Sequence, residues 1–521
     1  MRAHSLIKAA LAAVCAMAPA SGATTVDHQE FDAVLQAPFH ADSSGARLVA
    51  LYFSQQEGRI RWQLDLLAAG SDTVIRRWRG ERALGGTVTL RWQAGAATPS
   101  GMYRLRLRAS LDDDQHTEQA WPVAVGTAAT VAPSVAPLQP AAPLAEAAPY
   151  DIYLGNLHSQ TGHSDGGGAL GQCSGAQAPQ STPLGPTDAY AYAQQRRLDF
   201  LMTSEHNHLY DGSDGTNADA DPAAVRALFQ NGLHQADTWN LAHAGFLALY
   251  GQEWGVISNG GHLNILNSGE LLGWERNAQH ALLADTETPK NDYAGLYALM
   301  RQRGWLGQFN HPQKGQFAIA GQPLAWSADG DEAMLLCEVV NSNAFSSSTD
   351  ESEPRRSNFE AACNALLEAG YHLAFSSNQD NHCANWGASY TNRTAVLLPK
   401  GVPLTSEHFL AALRARRVYA TMDKQAQLIL TANGRVMGER FSNQGKLTLK
   451  AAYASANGRS AAAVTIFQGV PGRNGQVSIL SNKASSAITP KPGEHFYYAR
   501  VTQDDGKMLW SAPVWVSQLP R

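Results

Sequence analysis

Between Thr127 and Pro149 the chain passes through a stretch rich in Ala and Pro, with Pro133, Pro137, Pro140 and Pro143, and the apolar periodicity differs on its two sides. A segment of this composition has no face to bury and reads as a semi-extended linker. Before it, from about Val26 to Gly126, apolar residues alternate with polar ones, as in Arg59-Ile60-Arg61-Trp62-Gln63-Leu64 and Arg104-Leu105-Arg106-Leu107-Arg108. Turn signals such as Gly85-Gly86 and Pro99-Ser100-Gly101 separate these runs. Period two with turns predicts a small β-sandwich whose Arg residues form a wet face. After the linker, strand-like runs (152–157, 198–203, 246–252, 305–309, 334–340 and 371–376) alternate with helical runs such as 187–197, 291–303 and 357–369. Strands alternating with helices predict a parallel sheet or barrel, hence an α/β unit. Beyond Ala420 short β runs return.

The first residues have the form of an export signal. Arg2 and Lys8 flank the start of an apolar stretch from Ala9 to Ala18, with Ser21 and Ala23 placed for cleavage after Ala23. The stretch is too short to span a bilayer comfortably, and no later segment has the length and apolarity to insert. The expected division is a signal over 1–23, an N-terminal β-sandwich over 24–126, the linker over 127–148, a central α/β unit over 149–422 and a C-terminal β-domain over 423–521. The expected location is periplasmic or secreted. Cys173, Cys337, Cys363 and Cys383 remain after the signal, with one or two disulfides open to them in an oxidising compartment, or a buried thiol at Cys337. A net charge of -5 without a long basic run argues against nucleic-acid binding. Arg414, Arg416 and Arg417 form the one basic cluster and read as the solvated end of a helix.

The chemistry lies at the ends of the central strand-like runs. The first leads to His158, Gln160 and Asp165, and the second to Glu205-His206-Asn207-His208. The third leads to Glu253 and then His262, the next to Asn310-His311-Pro312, another passes through Glu338, and the last leads to Asp380-Asn381-His382. A lone His at a strand end is usually structural. Successive strand ends each offering His or a carboxylate are hard to explain as packing, because burying such groups without a cation is costly. A mixture of imidazole and carboxylate suits zinc, manganese or iron, and the absence of thiolates fits a catalytic site better than a closed structural one.

Seven of these segments, NLHSQTGHSDG (156–166), LDFLMTSEHNH (198–208), GQEW (251–254), GGHLNIL (260–266), FNHP (309–312), CEVVNS (337–342) and SSNQDNH (376–382), resemble in order the motifs of the polymerase and histidinol phosphatase (PHP) family. The resemblance covers about Tyr150 to Asp423, and the end of the chain, FYYARVTQDDGKMLWSAPVWV, looks like the β-tail of exported members grouped with carbamate and ester hydrolases. The stretch from Trp78 to Leu107 is similar to small immunoglobulin-like modules of exported bacterial proteins. The PHP resemblance implies a distorted seven-stranded βα barrel, TIM-like in plan, flanked by two small all-β domains and holding two or three divalent ions. It implies that Glu253 bridges two ions, with His158 and Asp380 sharing the first, His262 and His311 completing the second, and Asp165, His206 and His382 holding the third. Gln160 stands where the family has His, which makes the first position the weakest. His163 is the alternative ligand there, against a loop histidine. Arg393 is a candidate for gripping a substrate phosphate or carboxylate, against a structural ion pair. His208 reads as a rim residue, and Glu338 as either a support for a ligand or a surface carboxylate.

The expected activity is hydrolysis by a metal-activated water, with Glu253 and His382 central and a small phosphoester as substrate. Cleavage of a carboxylic ester, amide or carbamate by the same metals is the first alternative, and a degenerate extracellular binding module the second. No G-x-S-x-G elbow supports a serine nucleophile. Both flanking β-domains are expected to be dispensable for chemistry but not for solubility or targeting, and the linker motivates this for the N-terminal one.

Overall fold

The computed structural model describes residues 31–68, 70–95, 98–112, 115–126, 149–256, 260–473 and 477–520. The expected export signal and the Ala/Pro-rich linker lie outside them. Near the N-terminus, Ala33–Gln36, Ala46–Ala68, Val74–Gln93, Gly101–Leu111 and Gln115–Val125 form an antiparallel five-stranded sheet. The alternation in Gly101–Leu111 does what period two requires. Leu105 and Leu107 point into the core with Leu64, Leu66 and Trp121, while Arg104, Arg106 and Arg108 point away. Ala46–Ala68 is long enough to pair with three neighbours because its register slips between Phe53 and Ile60 and the strand bends there.

The central unit is built around three parallel strands, Tyr150–Asn156, Phe200–His206 and Leu247–Trp254. The helices Pro186–Gln195 and Pro222–Ala242 supply the crossovers between them. Pro at the first helical turn starts both, and the Asp221 side chain caps the second by accepting from the Ala223 amide. The regular alternation then stops. Leu263–Leu266 follows Leu247–Trp254 after a connection too short for a crossover helix, so it turns back antiparallel. Leu306–Phe309 is antiparallel to it in turn and parallel to Met334–Ser342, which is parallel to Ala374–Asn378. On the other side, Arg393–Pro399 is antiparallel to Tyr150–Asn156, and Val418–Thr421 continues to Met508–Ser511 of the C-terminal strands.

This overturns the expected seven-stranded βα barrel. The chain is mostly β, with six α-helices among the described residues and a sixteen-stranded sheet that runs from the central unit into the C-terminal strands. A helix-rich TIM-like barrel needs a helical crossover after each strand, and here several connections lack one. The C-terminal β region therefore shares main-chain hydrogen bonds with the centre. A separate four-stranded sheet, with Ala426–Ala432 and Leu447–Ser455 at its middle, packs beside the shared strands.

Both disulfides expected as open possibilities are present, Cys173–Cys383 and Cys337–Cys363, so Cys337 is not a free thiol. Among the described residues no helix is long and apolar enough to cross a membrane.

Candidate metal centre

The C-terminal ends of the central strands converge on one buried carboxylate, Glu253, near the end of Leu247–Trp254. Its Oε2 lies 2.8 Å from His158 Nε2 and 3.6 Å from His206 Nδ1, and its Oε1 lies 3.0 Å from His262 Nδ1 and 3.4 Å from His311 Nε2. Asp380 Oδ1 is 3.1 Å from His158 Nε2, and His382 Nε2 is 3.5 Å from Asp165 Oδ2. Three overlapping groups have the spacing to hold an ion: His158 with Glu253 and His311, His206 with Glu253 and His262, and Asp165 with His206 and His382. The third matches the set that the sequence resemblance implies. In the other two, His311 groups with His158 rather than with His262, and His206 takes its place beside His262.

Two of these residues adopt a left-handed backbone, His311 with φ 29° and Asp380 with φ 51°. A non-glycine residue there costs roughly 1–3 kcal/mol, and the surrounding structure must hold it in place. For His311 the support is visible, since its amide donates to Glu338 Oε2 at 2.9 Å. Glu338 also meets His158 Nδ1 at 3.2 Å and accepts from the Asn378 amide at 3.0 Å. Of the two readings left open for Glu338, the supporting one is the one found. It fixes the ring that faces Glu253.

Asn310 and Glu205 have roles that residue type alone did not reveal. Asn310 Nδ2 donates to Glu253 Oε1 at 2.7 Å and to Asn264 Oδ1 at 2.9 Å, so it orients the central carboxylate. The available signal was its position beside His311 at a strand end. Glu205 accepts from the amide and hydroxyl of Thr161 and from the Ser164 hydroxyl, at 2.9, 2.6 and 2.6 Å, clamping the turn between Gln160 and Asp165. Burial pushes the Glu205 carboxyl up to about 7, although these bonds pull it down. His163 stands apart, bonded to the Tyr250 hydroxyl at 2.9 Å, and burial lowers its pKa to about 4. His208 stacks on Trp274.

The electrostatics fit a cation. Five imidazoles (His158, His206, His262, His311 and His382) and four carboxylates (Asp165, Glu253, Glu338 and Asp380) are all buried within one cluster. Burial opposes ionisation of Glu253, yet His158, His262 and His206 hold its pKa well below the usual carboxylate value. Burial likewise opposes the charge on His158, but Asp380, Glu253 and Glu338 hold its pKa well above the ordinary one. Carboxylates and imidazoles arranged in this way could hold a metal ion.

Gln160 is in the cluster but not as an oxygen donor. Its Nε2 donates to Glu253 Oε2 at 2.7 Å, and its Oε1 accepts from the Ser164 hydroxyl at 3.2 Å. An amide N–H has no lone pair to offer a metal. We expect Gln160→His to add a donor beside Glu253 and slow loss of the most weakly held ion on dialysis by about 10-fold or more. Metal counting through a dialysis series checks this, and equal retention in variant and wild type would refute it.

Arg393 is not at the centre, contrary to the expectation of a substrate-binding role. Its guanidinium is buried, paired with Glu351 at 2.7 Å and bonded to the Tyr390 and Asn392 carbonyls at 2.9 and 2.8 Å. Glu351 also meets Lys424 at 2.7 Å. Glu351 is partly exposed and keeps Lys424, so the main loss in Arg393→Met is the hydrogen bonds to the buried Tyr390 and Asn392 carbonyls, roughly 1–3 kcal/mol of stability. The substitution should leave the KM for anionic substrates unchanged. Denaturant unfolding and kinetics on one preparation separate the two effects.

The cluster opens on a cavity of ≈ 760 Å³ that His206, Glu253, His262, His311, Asp380 and His382 line from below. Part of the cavity lining comes from the N-terminal sheet, through Val34, Tyr52 and Thr87 among others. The N-terminal module is therefore part of the cavity, and its expected dispensability does not follow from the geometry. The Cys173–Cys383 bond fastens the segment after Gly168 to the residue following His382.

No family model matches the sequence, and no curated protein matches it. Among solved structures, a β-glucuronidase from Parabacteroides merdae aligns at 8% identity over 94% of this chain and 66% of that one, with a TM-score of 0.15. A β-glucuronidase from Bacteroides uniformis aligns at 9% identity over 94% and 61%, with a TM-score of 0.14. PhoD aligns at 11% identity over 47% and 42%, with a TM-score of 0.15. The chain spans just under two thirds of the first of these proteins, and likenesses this slight bear on neither fold nor activity.

Proposed function

We propose that the chain is an exported, metal-dependent hydrolase that cleaves phosphoesters with water as the nucleophile. One observation carries the reading. A single buried glutamate is shared by two three-residue donor groups, a third adjoins them through His206, and all three open on one cavity. The order of the PHP-like motifs is a second support, and the two disulfides accord with an oxidising compartment.

Divalent ions bound there supply Lewis acidity to a water and to a substrate oxygen at neutral pH. The chain's own residues set the geometry. Glu253 presents one oxygen to His158 and His206 and the other to His262 and His311, which brings the donor groups side by side. A neutral His158 that donates Nδ1–H to Glu338 would face the cluster with the lone pair of Nε2. The Asn310 amide keeps Glu253 from rotating. Phe345, whose ring lies 4.8 Å from that of His382, borders the donors with apolar surface.

A panel of phosphate mono- and diesters beside aryl esters and carbamates tests the reaction class. Phosphoesters are expected to turn over fastest. Cleavage confined to carboxylic esters or carbamates would move the assignment to the first alternative on the same donors. Full metal content with no turnover of any substrate would favour a binding module.

A further inference from the structure

The cavity contains a guanidinium that no carboxylate among the described residues pairs with. Two arginines, Arg355 and Arg356, line the cavity. Arg355 is paired with Glu353 at 3.1 Å, and Arg393, set back from the cavity, is paired with Glu351 at 2.7 Å. Arg356 lines the cavity and makes no ion pair among the described residues. Its Nη1 donates to the Pro354 carbonyl at 3.0 Å, and its buried Nε makes no hydrogen bond. Two rings hold its guanidinium, Trp121 at 4.6 Å and Tyr390 at 5.6 Å. Ring stacking fixes the plane of a guanidinium and leaves its edge for an acceptor, the arrangement in which Arg recognises carboxylates and phosphates. Arg356 belongs to none of the three donor groups.

Trp121 comes from the N-terminal sheet, and the contact is anchored on both sides. The Asn358 amide donates to the Ala120 carbonyl at 3.1 Å, Lys314 pairs with Glu118 at 3.1 Å, and Arg355 lies 5.6 Å from the Tyr52 ring. Phe53 of the N-terminal sheet and Phe345 and Phe359 of the central unit add apolar wall to the same cavity. The cavity thus combines a carboxylate-rich metal centre, an apolar lining and one unneutralised guanidinium.

We infer that Arg356 determines specificity by holding an oxyanionic group on the part of the substrate that is not cleaved, with the N-terminal sheet positioning it through Trp121. The substrate class is an ester with an apolar body that carries a second anionic group, a carboxylate, sulfate or phosphate. The inference rests on the hydrolase reading above, in that the metal centre engages the scissile group.

The test is calorimetric binding to the full-length zinc-loaded protein of two matched aryl phosphonate esters, one ending in a carboxylate and one in a methyl group. Wild type is expected to prefer the carboxylate-ended ligand by about tenfold or more. Arg356→Gln should bring the two within about twofold, and Arg356→Lys, which keeps the charge but loses the planar fork, should retain part of the preference. Two further ligands, one ending in a sulfate and one in a phosphate, distinguish the three oxyanions. Equal binding of the carboxylate and methyl ligands by wild type, or a preference that survives Arg356→Gln in a folded variant, would overturn the inference and leave the hydrolase reading intact. Binding of neither ligand by a protein with full metal content would overturn both.

Discussion

Glu253→Ala should leave a folded protein that keeps about one metal ion and loses at least about 100-fold in kcat. The asymmetry comes from the donor groups. Glu253 belongs to two of the three, whereas Asp165, His206 and His382 form the third without it. His382→Ala should show the opposite pattern, weakening the third position and sparing the two around Glu253. Folding should survive in both. The main-chain hydrogen bonds of the shared sheet do not involve either side chain, although removing Glu253 leaves His158, Gln160 and Asn310 without their acceptor and should cost roughly 3–5 kcal/mol of stability. Metal analysis, circular dichroism and turnover on the same preparations check the pattern. Near-normal turnover with unchanged metal content in both variants would show that the donors were assigned wrongly.

Much of the centre was legible because metal donors at strand ends are a local signal. His158, His206, Glu253, His311 and His382 follow or end apolar runs, and a strand ending in a buried polar residue needs a reason. Most of the runs themselves formed within a few residues of expectation, such as Met334–Ser342 and the helix Tyr293–Arg303. How they pair was not legible. Whether Leu263–Leu266 runs with or against its neighbour depends on the length of the connection from Trp254, and apolar periodicity does not report that. The same holds for Val418–Thr421, which pairs with Arg393–Pro399 and passes the sheet on to Met508–Ser511. The roles of Gln160 and Arg393 were not decided by the sequence, for a different reason. Each has the right polarity for a site, but the partner that decides its role, Glu253 for one and Glu351 for the other, is distant in sequence. The part played by Trp121 and Arg356 follows from domain packing, which no linear motif records.

Stripping the metal with a chelator should abolish turnover, Mn²⁺ or Zn²⁺ should restore it, and reloading at pH 7 should release about two protons per chain. The protons belong to His158 and His382. Burial pulls the His158 pKa down, but Asp380, Glu253 and Glu338 hold it well above its ordinary value. Burial acts on His382 in the same way, and Asp165 and Asp380 raise it to about 9. Both rings are therefore charged at pH 7 in the metal-free chain, and a ring nitrogen must lose its proton before its lone pair can reach an ion. The sign for stability follows from the same shifts. A histidine whose folded pKa is raised stabilises the metal-free fold fully below its unfolded value of about 6.5, and that contribution disappears as pH climbs through the folded value. For His382 the window is from about 6.5 to about 9. Metal binding runs the other way and tightens with pH over the same window, so the gap in Tm between loaded and stripped protein should widen from pH 6 to pH 9. Calorimetric loading in two buffers of different ionisation enthalpy counts the protons, and thermal unfolding across the window measures the gap. Full turnover by the stripped protein, or loading at pH 7 without proton release, would show that these imidazoles are not the ligands.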